Sequence, residues 1–215
     1  NTSALAFGGT PPTTGKTELY NGTNWTEVND LNTARTLAGG FGTATSALAF
    51  GNEPAAAITE LWNGTNWVEQ NDLSTGRYEL TGNGSSASAG FAAGGNPTPA
   101  GVELWTGAGA PIGAWSTGGN LNTARMGGGQ AGIQTSALVF GGGLPSPFKT
   151  ETESYNGTSW TELNNLPTAN IALSGAGSST AALGFGGYTT PYTAATKIWN
   201  GTNWSDGNNM NQARG

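Results

Sequence analysis

Short apolar runs separated by glycine, asparagine and threonine dominate the chain, and no window of 11 residues has a good 3.6-residue apolar period. Runs such as ALAFGG, ending at Gly9, and ELYN, beginning at Glu18, have the length of strands and are bounded by turn residues. Stretches 36–44 and 171–179 are rich in glycine and other small residues, which suits inner strands where neighbouring backbones converge. The pattern predicts an all-β protein with almost no helix.

These runs belong to a repeat. An apolar run closed by glycine recurs five times, and each copy is followed by an aromatic residue, a turn and a closing tryptophan, as in ELYNGTNW. The closing tryptophans lie 42 to 48 residues apart, at Trp25, Trp67, Trp115, Trp160 and Trp204. Four repeats end in an arginine: Arg35, Arg77, Arg125 and Arg214. All eight tryptophans fall at two positions of the repeat, so we expect them to pack between neighbouring units rather than to bind a ligand.

The turn before the closing tryptophan contains Asn-Gly in four of the five repeats. This dipeptide favours a two-residue type I′ turn, in which both central residues take a positive φ. The sequence therefore predicts tight hairpins between the third and fourth strands of these repeats.

A period of 40 to 50 residues with four short strands in each unit is typical of a β-propeller blade. The motif order of Gly-Gly, then Tyr or Trp, then Trp, then a terminal Arg resembles the kelch repeat over the whole chain. The NGTxW form also resembles repeats in large proteins of marine phages and bacteria. The resemblance implies an all-β, five-bladed, kelch-like β-propeller with four-stranded blades, forming one domain over 1–215. Its repeats would span 1–35, 36–77, 78–125, 126–170 and 171–215.

The two ends of the chain are predicted to share the fifth blade, because the sequence starts at a second strand and stops just after an arginine. Arg35 precedes Ala47 by 12 residues. If the two ends of the chain are joined, the equivalent spacing from Arg214 to Ala4 is about seven residues shorter, and the missing length is most of an innermost strand. Three interpretations are open: the sequence is a segment of a longer chain, a neighbouring molecule donates the strand, or this blade has three strands.

A charged pair is predicted in most blades. The third strand carries a glutamate in four repeats, and the fifth has Lys197 instead. The predicted partners are Arg35 with Glu60, Arg77 with Glu103, Arg125 with Glu153, and Arg214 with Glu18. The blade that Asn170 opens, where the arginine is missing, is also the one that has Lys197. We therefore hypothesise one Arg–Glu contact per blade, absent where Asn170 stands; unrelated surface charges are the alternative.

Several kinds of chemistry are disfavoured by composition. The chain has no cysteine and no histidine, so it has no thiolate nucleophile, no Ser-His-Asp triad and no imidazole metal ligand. The net charge of −6 disfavours nucleic-acid binding, and no apolar run is long enough for a membrane helix. Acidic residues occur mostly one per repeat, so they are dispersed around the ring rather than clustered in one pocket, which disfavours a paired-carboxylate glycosidase. We predict no enzyme activity, no metal and no cofactor.

The loops between the second and third strands, the b–c loops, vary most and hold eight of the ten prolines. Proline stiffens a loop and lowers the entropy lost on binding. Two of these loops, 143–151 and 187–196, add Phe148, Tyr188 and Tyr192 outside the repeat pattern. These three aromatic residues are the predicted binding residues, with packing onto their own blade as the alternative.

The expected function is that of a non-enzymatic structural and binding module outside the cell: a phage-tail or cell-surface adhesin, or a subunit of an extracellular fibre. Its expected location is extracellular, on a cell surface or on a virion. Its partners would be protein or glycan surfaces, including copies of itself arranged head to tail. No nucleic-acid partner and no membrane insertion are expected. A carbohydrate-binding propeller lectin and a kelch-type protein-interaction adaptor are the two alternatives.

Overall fold

The computed structural model of the chain describes residues 2–107, 112–143 and 147–215. These residues contain 19 strands and no helix. The strands form five separate antiparallel sheets, four with four strands and one with three. The all-β class and the five-bladed β-propeller fold are confirmed.

The blades follow one another along the chain. Blade I contains β1 (Ala4–Phe7), β2 (Thr17–Tyr20) and β3 (Trp25–Val28). Blade II contains β4 (Gly39–Thr43), β5 (Ser46–Asn52), β6 (Ala56–Trp62) and β7 (Trp67–Glu69). Blade III contains β8 (Thr81–Ser86), β9 (Ala89–Ala93), β10 (Val102–Thr106) and β11 (Ala114–Thr117). Blade IV contains β12 (Gly129–Ile133), β13 (Ser136–Phe140), β14 (Thr152–Tyr155) and β15 (Trp160–Leu163). Blade V contains β16 (Ser174–Gly177), β17 (Ala182–Phe185), β18 (Thr196–Trp199) and β19 (Trp204–Asp206).

The predicted inner strands are β4, β8, β12 and β16, and each is hydrogen-bonded to the apolar strand that follows it. Blade I, the blade predicted to be shared by the two termini, has the order β1-β2-β3 and lacks an inner strand among the described residues. Among the described residues, blade I therefore has three strands.

The chain divides into two compact units, and the prediction of one domain over 1–215 stays a prediction. Among the described residues, the first unit comprises 2–92, 103–107 and 112–117, and the second comprises 93–102, 118–143 and 147–215. In the first unit, buried Leu48, Phe50 and Trp105 belong to one apolar cluster. In the second unit, Leu138 and Phe140 belong to a single cluster.

The Asn-Gly turns differ from the predicted type I′ hairpin. Tyr20 pairs with Trp25 at the end of the hairpin, and the Asn21 N–H donates to the Asn24 carbonyl, so the loop has four residues instead of two. The Asn21 side-chain oxygen accepts the N–H groups of Thr23 and Asn24 at 3.0 and 2.9 Å. Only the glycine takes a positive φ, of 97° at Gly22. The prediction was wrong because the asparagine side chain caps the loop, which removes the need for a positive φ at asparagine.

The same cap occurs in the other three Asn-Gly turns. The capping side chains are those of Asn63, Asn156 and Asn200. Their glycines have φ values of 92° to 94°. All four turns are therefore shaped by the same interaction, in which the asparagine side-chain oxygen accepts two backbone N–H groups.

Closing tryptophans connect consecutive blades. The indole N–H of Trp67 in blade II donates to the Thr17 hydroxyl of blade I at 3.0 Å, and Trp204 in blade V donates to Thr152 of blade IV at 2.9 Å. Both threonines are fully buried. A polar group buried in an apolar contact needs a hydrogen-bond partner, and here each indole N–H is satisfied by a threonine hydroxyl.

A phenylalanine completes each of these contacts. The Phe7 ring lies 5.0 Å from the Trp67 ring, and the Phe140 ring lies 4.7 Å from the Trp204 ring, measured between centroids. Blade III has Ala93 and Val102 at the phenylalanine and threonine positions. The closing tryptophan that follows, Trp160, accordingly donates to the Gly119 carbonyl at 2.9 Å.

Trp25 is the exception among the closing tryptophans, because 50% of it is exposed, whereas Trp67 is 4% exposed. Its ring contacts only the neighbouring Tyr20 ring among the described aromatic pairs, at 5.2 Å. The expectation that this position packs between blades therefore holds for Trp67 and Trp204, and fails for Trp25 within the unit that contains it.

We predict that Thr152→Val destabilises the protein by about 1–3 kcal/mol, because it leaves the buried Trp204 indole N–H without an acceptor. The matched control is Thr196→Val, at the same strand position of blade V, where the hydroxyl has no hydrogen bond among the described residues. That change should cost less than about 0.5 kcal/mol. Urea unfolding monitored by tryptophan fluorescence measures both, and equal losses would contradict the assigned role of the hydroxyl.

Candidate binding site

Buried ion pairs occupy the same slot in blades II, III and IV. The guanidinium of Arg77 lies 2.6 Å from the Glu103 carboxylate, and that of Arg125 lies 2.6 Å from Glu153. Arg35 and Glu60 pair in the same way, and no side chain of the three pairs is more than 6% exposed. The hypothesised Arg–Glu contact is confirmed in these three blades.

Each carboxylate is also held by the loop that precedes the arginine. In blade IV, the Asn122 N–H donates to Glu153 Oε2 at 2.7 Å, and the Thr123 N–H donates to Glu153 Oε1 at 3.0 Å. These bonds offset the desolvation of the buried charge. The carboxylates therefore have structural partners and are not available as general acids or bases.

The Arg125 guanidinium is likewise held by backbone carbonyls. Nη1 of Arg125 donates to the carbonyls of Gly141 and Glu151 at 2.7 and 2.8 Å. Burial lowers the pKa of Arg35 and Arg77 from its ordinary value, and the partner carboxylates oppose this shift.

The arginine backbone bonds to the blade before. The Arg125 carbonyl accepts the Gly95 N–H at 3.0 Å, and the Arg35 carbonyl accepts the Gly9 N–H at 2.8 Å. A Cβ on Gly94 would lie 2.3 Å from the Arg125 carbonyl oxygen, and Gly94 has a φ of 66°. The first glycine of the Gly-Gly motif is therefore required by the close approach of the arginine carbonyl.

Blade V departs from this arrangement as the sequence predicted. Asn170 replaces the arginine and donates its side-chain N–H to the Gly186 carbonyl at 2.8 Å, while its Oδ1 is buried without a hydrogen-bond partner. Lys197 replaces the glutamate and pairs with Asp206, whose side chain is 78% exposed. A cavity of about 170 Å³ lies here, lined by Leu166, Thr168, Asn170, Leu173, Gly184, Thr189, Thr193, Ala195 and Lys197. We call it the blade V pocket.

The fourth predicted pair involves residues of both units. Glu18 in the first unit and Arg214 in the second are each exposed, unlike the members of the three buried pairs. The Arg214 carbonyl accepts the Gly187 N–H at 2.7 Å, as the carbonyls of the other repeat arginines accept theirs. The pairing of Glu18 with Arg214 stays a prediction.

The three predicted binding residues lie together. The Phe148 and Tyr188 rings are 5.9 Å apart, and the Tyr188 and Tyr192 rings are 5.1 Å apart, both edge to face. Phe148 and Tyr188 are half-buried, and Tyr192 is 58% exposed. We call this group the aromatic ledge. Two of the rings are partly packed against the protein and the third is exposed, and the role of the three residues in binding stays a prediction.

Backbone hydrogen bonds hold the loop that carries Tyr188 and Tyr192. Tyr188 and Ile171 exchange N–H···O bonds of 2.7 and 3.2 Å, and the Thr193 N–H donates to the Gly187 carbonyl at 3.0 Å. The loop is therefore ordered before any ligand arrives, which lowers the entropy cost of binding. The same loop supplies Thr189 and Thr193 to the blade V pocket.

Sequence reasoning did not identify this pocket, although it identified the two substitutions that create it. A third substitution was available as a signal: Pro167 stands where blade IV has Asn122, so the loop has no N–H there to give to a carboxylate. Within the described residues, no three Asp or Glu side chains are grouped to hold a metal ion, and no helix could span a membrane.

Comparison of the sequence with protein-family models and with curated proteins finds no match. The class of the protein therefore rests on its structure, which is that of a five-bladed β-propeller.

We predict that Arg125→Met lowers the free energy of unfolding by about 3–5 kcal/mol, because it leaves the Glu153 carboxylate buried without a countercharge. Lys197→Met is the matched control in blade V. It removes a pair whose acidic partner is exposed, and it should cost less than about 1 kcal/mol. Urea unfolding of both variants gives the comparison, and a loss below about 1 kcal/mol for Arg125→Met would show that the pair is dispensable.

Proposed function

We propose that the chain is a non-enzymatic binding module with a kelch-like propeller fold, acting outside the cell as part of a phage-tail or cell-surface adhesin or of an extracellular fibre. The aromatic ledge is the observation that carries the proposal. The other buried aromatic rings join strands or blades, whereas Phe148, Tyr188 and Tyr192 stand outside the repeat and present an exposed ring on an ordered loop.

The kelch-like assignment is supported by the role that each motif residue plays. The first glycine of Gly-Gly makes room for a carbonyl of the next repeat. Trp67 and Trp204 contact the blade before their own, and in blades II–IV the arginine pairs with a glutamate of its own blade. These roles are mutually dependent, as expected of one repeat family rather than of a chance spacing.

A non-catalytic role is supported by the state of the acidic residues. Glu60, Glu103 and Glu153 are neutralised and hydrogen-bonded inside the blades. Catalytic carboxylates instead line a cleft that a substrate can enter. The proposed module needs no metal and no cofactor.

The proposed partners are protein or glycan surfaces, and the proposed location is extracellular, on a cell surface or on a virion. A net charge of −6 and a charged fraction of 9% disfavour nucleic acid as a partner. An exposed tyrosine ring suits either partner, because it offers a flat apolar face and a polar tip.

A lectin is the second candidate, favoured by the threonine hydroxyls beside Tyr192. Thr189, Thr190 and Thr193 lie within three residues of this ring along the loop. Hydroxyl groups next to an aromatic face suit the hydroxyl groups and the C–H face of a sugar ring.

We predict that fluorescently labelled protein binds members of an immobilised array of glycans and extracellular proteins, and that Tyr192→Ala weakens this binding about tenfold or more. Trp25→Ala is the control, since Trp25 is an exposed aromatic residue that is not part of the ledge. Glycan spots that depend on Tyr192 identify a lectin, and protein spots that depend on it identify an adhesin with a protein receptor. Absence of binding, or equal loss in both variants, would contradict the role of the ledge.

A further inference from the structure

We propose that the blade V pocket binds a small hydroxylated carboxylate of monosaccharide size, such as a sugar acid. This inference concerns the slot that the ion pair vacates, and it does not depend on the function proposed for the aromatic ledge.

Three substitutions occur together in blade V, at positions that contact one another in blade IV. Asn170 is shorter than the arginine of blades II–IV, Lys197 directs its ammonium group to Asp206, and Pro167 replaces a residue whose N–H would hold a glutamate. Loss of one partner alone would strand a buried charge. The joint change leaves a space in blade V where the other blades hold a guanidinium and a carboxylate.

Donors for a carboxylate remain around that space. In blade IV the Thr123 N–H donates to the Glu153 carboxylate, and Thr168 is the residue at the same position in blade V. The Thr168 N–H has no hydrogen-bond acceptor among the described residues. Lys197 lines the same cavity. A ligand carboxylate would therefore receive a backbone N–H and an ammonium group, replacing the bonds that the protein's own glutamate makes elsewhere.

The charge of the pocket favours an anion. No aspartate or glutamate lines it, and Lys197 is its one charged lining residue in the part of the chain described. Asp206 competes for the lysine, but its side chain is 78% exposed, so water screens that pair. A carboxylate inside the cavity would meet the same ammonium group with less solvent between them.

Hydroxyl groups and an unpaired oxygen set the rest of the specificity. Thr189 and Thr193 line the pocket, and Asn170 Oδ1 is a buried acceptor without a donor. A ligand hydroxyl can donate to Asn170 Oδ1, and Leu166 and Leu173 offer an apolar wall for C–H groups. At about 170 Å³ the cavity is smaller than the usual range for drug-sized ligands, which fits a single small molecule or one residue of a chain.

The test is titration of the intact 215-residue protein with sodium D-glucuronate, followed by isothermal calorimetry and by ligand-observed NMR. D-glucose, which has the same ring without the carboxylate, is the matched ligand control. Two variants accompany the wild type: Lys197→Met removes the ammonium group, and the double change Asn170→Arg with Lys197→Glu refills the slot with the ion pair of the other blades. Circular dichroism and the unfolding midpoint establish that each variant is folded.

The proposal is supported if glucuronate binds saturably and glucose binds at least about tenfold more weakly. The Lys197→Met variant should also bind about tenfold more weakly, and the double variant should not bind. The double variant should keep or raise the unfolding midpoint. Absence of glucuronate binding by the wild type would overturn the proposal, as would binding that survives in a folded double variant. Equal binding of glucose would overturn the carboxylate assignment. Tyr192→Ala, tested in parallel, separates this pocket from the ledge, because it should leave glucuronate affinity within about threefold.

Discussion

The buried Arg–Glu pair is the interaction on which the architecture depends. A buried charge is costly unless it is paired and hydrogen-bonded, and here each ion is paired with the other. In blade IV the Glu153 carboxylate accepts two backbone N–H groups, while the Arg125 guanidinium donates to two carbonyls. Because the Arg125 carbonyl also accepts an N–H from the blade III loop, one residue fixes both the inside of a blade and its connection to the previous one.

Where one residue of these contacts is replaced, the residues that it would contact are replaced as well, although they lie far apart along the chain. Blade III has Val102 and Ala93 where others have threonine and phenylalanine, and Trp160 of the following blade uses a carbonyl acceptor instead. Blade V lacks the arginine, and Lys197 is present in place of the glutamate. In both cases no partner is left as a buried ion, although Asn170 Oδ1 is a buried acceptor that nothing satisfies.

The features predicted best from sequence are those set by a pattern repeated along the chain. The inner strands and the Arg35–Glu60 pair were predicted from residues that recur at fixed positions of the repeat. Because the arginine and the glutamate are both replaced in the same blade, the sequence indicated that they are partners. The turn geometry was predicted wrongly, because the propensity of Asn-Gly for positive φ says nothing of a side chain that caps N–H groups two and three residues ahead. The cavity beside Asn170 depends on the space that the absent arginine and glutamate side chains leave, which a local pattern does not record.

The capped Asn-Gly turns have a consequence for chemical ageing. Asparagine followed by glycine is prone to deamidation, in which the backbone nitrogen of the glycine attacks the side-chain amide carbon. In this fold two N–H groups on the residues beyond Gly22 hold the amide oxygen of Asn21, which keeps the side chain in one orientation and restricts the movement that brings its amide carbon to the glycine nitrogen. The same side chain that shapes the hairpin therefore slows its own conversion to aspartate. On prolonged exposure to solvent, deamidation at these turns is faster in the unfolded chain than in the folded one.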